Sequence, residues 1–418
     1  MYKKSIIIVI VQLFGAILGL LTIYLVAGDM EPEVYSLTGI YTIMSTVVIT
    51  FSDLGIETTM AREALYWKEK KDESSIIEYA SQALFSRLIA FLILIPAMTA
   101  YALIINITKY DGKHLVLLLV FVVAALLNAL INSMALIVRS LGGYVFSQIA
   151  STANSYLIKF LGIGIYLWKG AYAYLFFYGM ASVPLAIIYL IKLRGLLDFR
   201  KMKFKGTFKK IVSGRYLWLK TDLDYFKNNA DSMLVSAFFP AGILGSYSIY
   251  KQLEQLAKTV IEGFFDVLSQ HTVKYKGNEQ ELLNQEHKIK KARNIIMSLV
   301  LVAGVIFIFI RENAIRLIHL NNYQYIDWMI CCVVLVSIFH LIGKYEINAL
   351  AFFGTSKMNF NIGVTIFVVS CLSYFIVLFI PTIAGVLIQR IIIYAVTSFL
   401  SIYLFRKNKT ELYTKILK

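Results

Sequence analysis

Charged side chains are scarce in this chain. They make up 16% of the 418 residues, where a soluble domain carries about a quarter. With a hydrophobic content of 59% and a mean hydropathy of +0.70, this excludes an ordinary string of two or three soluble domains. Cysteine is almost missing: Cys331, Cys332 and Cys371 all lie inside apolar runs, at spacings that fit neither a disulfide framework nor a zinc site. The five histidines are scattered, and no pair has the i, i+4 spacing that ligation on one helix face requires, so no metal is expected. No G-x-x-x-x-G-K-[ST] loop occurs, which argues against direct ATP hydrolysis. Energy for any vectorial work then has to come from a gradient or a partner.

What the chain has instead is apolar runs long enough to cross a bilayer, about 20 residues each. Twelve are predicted. The first half holds Ser5 to Ala27, Val34 to Ile56, Ser81 to Ile105, His114 to Val138, Gly143 to Trp168 and Ala171 to Leu193. The second half holds Val212 to Phe239, Gly242 to Gln270, Arg293 to Ile310, Ile326 to Leu350, Lys357 to Ile380 and Ile383 to Phe405. The first run lacks a small-residue cleavage site and reads as a retained signal anchor. The expected fold is an all-α membrane protein of about twelve transmembrane helices in two pseudo-symmetric six-helix lobes. Its divisions are an N-terminal lobe 1–193, a basic cytoplasmic linker 194–211, a C-terminal lobe 212–405 and a basic cytoplasmic tail 406–418. Tyr35-Ser36 returns as Tyr247-Ser248 and Gly142 as Gly354, both 212 residues on, a weak internal repeat consistent with two parallel lobes around a midplane path.

The net charge of +16 does not point to nucleic acid, because the basic residues sit in short loops beside apolar runs. With the N-terminus inside, 27 of the 41 lysines and arginines fall on the cytoplasmic side and five on the outer side. Both termini are therefore expected in the cytoplasm, with the basic loops meeting anionic lipid head groups.

Ionisable residues inside the runs are the candidate site. In the seventh run Lys220, Asp224, Lys227 and Asp231 step by 4, 3 and 4, and in the eighth Lys251, Glu254, Lys258, Glu262 and Asp266 step by 3, 4, 4 and 4, so each set shares one helical face. Charge at bilayer depth costs several kcal/mol. A stripe of it has to face water, a matching stripe, or the membrane surface as an amphipathic helix. An aqueous lumen is the reading preferred here. Arg87 in the third run and Lys159 in the fifth have no acidic residue in their own runs and, apart from Asp53 at the end of the second, none in the adjacent ones, and they offer a site for a phosphate. Lys344 beside Glu346 and Arg390 add cations in the second half, although Arg87, Lys344 and Arg390 are close enough to run ends to snorkel. Asp53 closes the second run in a capping or gating position. Pro96 and Pro184 are expected to kink the third and sixth helices.

The strings FSDLGIETTMARE, IVRSLGGYVFSQ and ADSMLVSAFFPAGILGSYSIYKQLEQ, with the two-lobe topology, resemble the polysaccharide-repeat (O-antigen) flippases of the multidrug/oligosaccharidyl-lipid/polysaccharide exporter superfamily, which is MATE-like in fold. The resemblance implies translocation of an undecaprenyl-pyrophosphate-linked oligosaccharide between leaflets of a bacterial inner membrane by alternating access. It also implies a cationic lumen and a role for the seventh-span aspartate that corresponds to Asp231. On this reading Arg87, Lys159, Lys220, Lys227, Lys251, Lys258, Lys344 and Arg390 are candidate anion-binding cations. Asp53, Asp224, Asp231, Glu254 and Glu262 are candidates for gating or for coupling to H⁺ or Na⁺, and no other cofactor is expected. Partners would be the lipid-linked oligosaccharide, the bilayer and other polysaccharide assembly proteins. A cation-coupled multidrug exporter of the same superfamily is the alternative, and the basic first half argues against it. A peptidoglycan-precursor flippase would carry further C-terminal spans, and a membrane glycosyltransferase or glycan polymerase would carry a large outer loop.

Overall fold

The computed structural model describes residues 14–56, 64, 67–272, 279–353 and 356–417, and no strand occurs among them. Twelve main helices follow one another among the described residues. They are α1 (Phe14–Ala27), α2 (Pro32–Phe51), α3 (Glu73–Tyr110), α4 (Leu115–Val138), α5 (Tyr144–Lys169), α6 (Ala171–Leu196), α7 (Phe204–Phe238), α8 (Ala241–Thr272), α9 (Glu279–Leu317), α10 (Ile326–Phe353), α11 (Ser356–Phe379) and α12 (Ile383–Leu417). Eight of these, α2, α3, α4, α6, α9, α10, α11 and α12, contain stretches long and apolar enough to cross a membrane. The chain is a multi-pass membrane protein. The charge stripes of α7 and α8 keep those two helices below that apolar threshold although both exceed 30 residues.

Local chemistry sets the helix ends. Asp72 opens α3 by accepting the Ser75 amide at 3.1 Å and the Ser75 hydroxyl at 2.6 Å, which satisfies an otherwise orphaned N–H. Those same bonds hold the Asp72 carboxyl below the usual carboxylate range. Asp111 closes α3 in the left-handed region at φ 49°. Gly170, at φ 81°, separates α5 from α6, a conformation that a side chain would strain. At 38 residues α3 is about 57 Å long, nearly twice the roughly 30 Å hydrocarbon core, so its cap and first turns project beyond the apolar stretch read from sequence. The helix continues through Pro96. Pro184, in contrast, stands at the restart of α6, which breaks between Met180 and Val183.

Packing sorts the chain into two compact units: a central unit, Glu33–Ala241, and a terminal unit made of Met1–Pro32 and Gly242–Lys418. These are not the two halves of the chain order, since α1 groups with the later helices and α7 with the earlier ones. In the central unit Tyr79, Ala80 and Ala83 of α3 pack with Ile137 and Val138 of α4 and Tyr189 and Leu193 of α6. The alanines allow the close backbone approach on which helix association in lipid depends. In the terminal unit Ile261, Ile289, Leu341, Tyr345 and Phe405 form the corresponding core. Two glycines there permit backbone contact: a Cβ on Gly245 would lie 2.0 Å from the Pro32 carbonyl oxygen, and one on Gly343 would lie 2.7 Å from Ser398 Cα. Tyr323 ties α1 to this unit by donating to the carbonyls of Ala27 at 2.7 Å and Met30 at 3.1 Å. Tyr35 and Tyr247, the repeated tyrosines of the sequence, are both fully buried, one in each unit.

Candidate functional site

The densest charge cluster lies in the terminal unit, where α8 and α12 meet. Lys251, Glu254 and Lys258 occupy one face of α8 because they are three and four residues apart, and Arg390 and Tyr394 are one turn apart on α12. Glu254 and Arg390 are each about 1% exposed. Arg390 Nη2 donates to Glu254 Oε1 at 2.7 Å, and the Tyr394 hydroxyl donates to the same oxygen at 3.1 Å. Lys258 also pairs with Oε1, while Lys251 Nζ stands 3.8 Å from Oε2. The Tyr394 ring lies under both cations, 4.6 Å from Lys258 Nζ and 5.0 Å from Arg390 Cζ, so its negative face adds to the neutralisation. His340 packs edge-on against the same ring at 6.1 Å.

One buried carboxylate, Glu254, thus gathers three cations from two helices. Buried charge is tolerated only when paired. Arginine provides a planar fork of donors and lysine a compact ammonium, the chemistry by which proteins hold anionic groups. Directly beside Arg390, Gln389 is fully buried and neither atom of its amide has a hydrogen-bond partner. Tyr394 and His340 are absent from the charge pattern of the sequence. The signal for Tyr394 was its position one turn from Arg390, which becomes informative only once Arg390 is known to face inward.

A second set of ions joins α9 to its neighbours in the same unit. Arg293 Nη1 donates to the Ile342 carbonyl at 2.9 Å and lies 3.4 Å from Glu346. Lys344 is 7% exposed, buried among protein atoms. Glu286, also buried, pairs with Lys290 at 2.5 Å and with Lys409 at 3.0 Å.

In the central unit Arg87 is fully buried. Its guanidinium donates to the Ile49 carbonyl at 2.8 Å and to the Ser52 hydroxyl at 2.6 Å, so it fixes the end of α2. Asp53 follows at once and accepts the Gly55 amide at 3.0 Å in a local turn. Along α7 the stripe is graded: Asp224 and Lys227 are half-buried, and Asp231 is 2% exposed with Oδ1 accepting the Ser232 amide at 2.9 Å. Tyr101 of α3 donates to Ser236 of α7 at 2.9 Å. Lys159 of α5 is half-buried. The side chains of Lys220, Glu262 and Asp266, and the motif residues from Glu57 to Glu63, lie outside the described residues. The sequence-predicted residues therefore form separate groups: Lys251, Glu254, Lys258 and Arg390 come together, whereas Arg87 with Asp53, and Lys159, are held in the other unit.

Comparison with known proteins gives the same architecture. An inward-facing structure of a multidrug resistance MATE family transporter of the MOP superfamily is similar with a TM-score of 0.64 at 16% identity, over 97% of this chain and 99% of that one. An outward-facing structure of such a transporter gives 0.59 at 15% identity, over 99% and 97%. A MOP superfamily transporter from Pyrococcus furiosus, for which a reversed polarity of the binding pocket suggests a different function, gives 0.57 at 15% identity, over 97% and 96%. No curated protein matches the chain. The family of polysaccharide biosynthesis proteins matches residues 1–269, more than half of the length. By that match this MATE-like, multi-pass membrane protein belongs to the polysaccharide biosynthesis protein family.

Proposed function

We propose that the protein is a flippase that moves an undecaprenyl-pyrophosphate-linked oligosaccharide repeat unit, of O-antigen or capsule/exopolysaccharide type, from the cytoplasmic to the periplasmic leaflet of a bacterial inner membrane by alternating access. The single observation that carries the reading is the convergence of three cations, Arg390, Lys251 and Lys258, on buried Glu254 inside a membrane protein. A glycan and a pyrophosphate cannot cross hydrocarbon unaided, and a desolvated cationic cluster is what their charge requires. Family membership agrees with a glycan cargo. In this reading Arg390 is the fixed element, locked by Glu254 and Tyr394, and the less buried lysines are the ones that turn to the passing phosphate.

The test is a proteoliposome assay with a fluorescent pyrophosphate-linked lipid glycan. Lys251→Gln and Lys258→Gln leave Glu254 paired with Arg390, so the fold is retained. Each is expected to slow translocation about tenfold or more, the loss of one hydrogen bond to a charged group. Wild-type rates in both variants would remove the proposal. Export of cationic drugs by the wild type with no movement of the glycan lipid would assign the protein to the exporters instead.

A further inference from the structure

Gln389 lies in the second turn of α12, one residue before Arg390. Its face of the helix is otherwise apolar, since Val386 and Ile393, about one turn to either side, are both buried. Gln389 is 0% exposed, so no gap the size of a water reaches its amide, and among the described residues neither Oε1 nor Nε2 has a hydrogen-bond partner. Other buried amides of the chain are met: Gln82 donates to Glu78 at 3.2 Å, and Asn106 accepts the His114 N–H at 2.9 Å. Gln389 thus breaks a rule that the same fold keeps elsewhere. A methionine of equal length would pack among these neighbours without leaving two polar atoms unbonded, which is among the costlier defects of a folded core. The adjoining ion cluster shares the feature, because Glu254 Oε2 accepts no hydrogen bond and has the Lys251 ammonium 3.8 Å away.

We infer that Gln389 lines the transport path in a second conformation of the terminal unit, where its amide meets water, and that its unmet hydrogen bonds destabilise the conformation described here. A single static fold gains nothing from a glutamine at this position. A protein that alternates between conformations needs them close in free energy, and an amide unbonded in one state and hydrated in the other narrows the gap. This rests on the protein changing conformation to move a cargo, as proposed above, and not on which cargo it moves.

The Gln389→Cys variant, held in nanodiscs that leave both faces open, is treated with a membrane-impermeant maleimide, and the modified sites are located by peptide mass spectrometry. Cys332, buried on α10 of the same unit, serves as the reference. Position 389 is expected to react about tenfold faster than Cys332, although both are buried in the conformation described. Gln389→Met, which keeps the length and removes the amide, should raise the midpoint of thermal unfolding by about 1–3 °C and slow cargo movement about tenfold. Gln389→Asn keeps an amide and should retain more transport than Gln389→Met. Labelling at 389 no faster than at Cys332, a Gln389→Met variant less stable than wild type, or a more stable one that moves cargo at the wild-type rate would each overturn the inference. A wild type that moves no glycan lipid, with position 389 still labelled ahead of Cys332, would end the glycan reading and uphold the role of Gln389.

Discussion

Glu254→Gln is the most informative single substitution, because it keeps the shape of the side chain and removes its charge. At 2.7 Å and an effective dielectric of about 20, the attraction between Arg390 and Glu254 is about 6 kcal/mol before desolvation is counted. Taking both ions out of water offsets much of this, and removing one partner of a buried pair costs about 3–5 kcal/mol, since the other charge is left stranded. Here the stranded group would be Arg390, about 1% exposed, with Lys258 and Lys251 beside it. Glu254→Gln is therefore expected to lose about 3–5 kcal/mol in equilibrium unfolding of the purified protein in mixed micelles, followed by circular dichroism. The double variant Glu254→Gln/Arg390→Met removes the stranded charge and should recover part of the loss. If Glu254→Gln unfolds within about 0.5 kcal/mol of wild type, the range of an inconsequential surface change, the cluster is hydrated and the argument for a desolvated ion cluster collapses.

Other expectations rest on different residues. Gly245→Ala should destabilise by about 1–3 kcal/mol or more, because the new Cβ meets the Pro32 backbone carbonyl, which cannot swing aside; the same unfolding experiment checks it, and a neutral result would mean that α8 shifts freely. Ser52→Ala takes a 2.6 Å acceptor from buried Arg87 and should cost about 1–3 kcal/mol, whereas Ser52→Thr, which keeps the hydroxyl, should cost less. Asp72, whose carboxyl is held below its ordinary pKa by Ser75, contributes stability that is present above the unfolded-state value and is lost as pH falls through the folded one. Protection factors at the start of α3, with the intrinsic pH dependence of amide exchange divided out, should accordingly fall on acidification in the wild type, and Asp72→Asn should flatten that dependence.

The run of spans was legible because crossing a bilayer forces length and apolarity on each segment. The shared face of Lys251, Glu254 and Lys258 was legible because helical periodicity is local. What charge counting misses is a neutral partner. Arg87 lacks an acidic neighbour in sequence, yet a backbone carbonyl and a serine hydroxyl meet its donors, and neither leaves a mark in a tally of acids and bases. Distance in the chain hides the rest: Arg390 reaches Glu254 across 136 residues, and nothing near either one announces the other. Burial of Lys344 and Arg390 likewise follows from which helices surround them, not from their depth within a run. Chain order also does not dictate the packing units, because the turn between Met30 and Pro32 and the turn at Pro240 let α1 and α7 group outside their own halves.

That grouping has a consequence for biosynthesis. Tyr323, whose hydroxyl holds the end of α1, is made nearly 300 residues after the carbonyls it binds. At about 5–20 residues per second, α1 waits roughly 15 to 60 seconds for this partner. The docking of the α1 end onto this tyrosine is therefore completed long after the helix itself has been made.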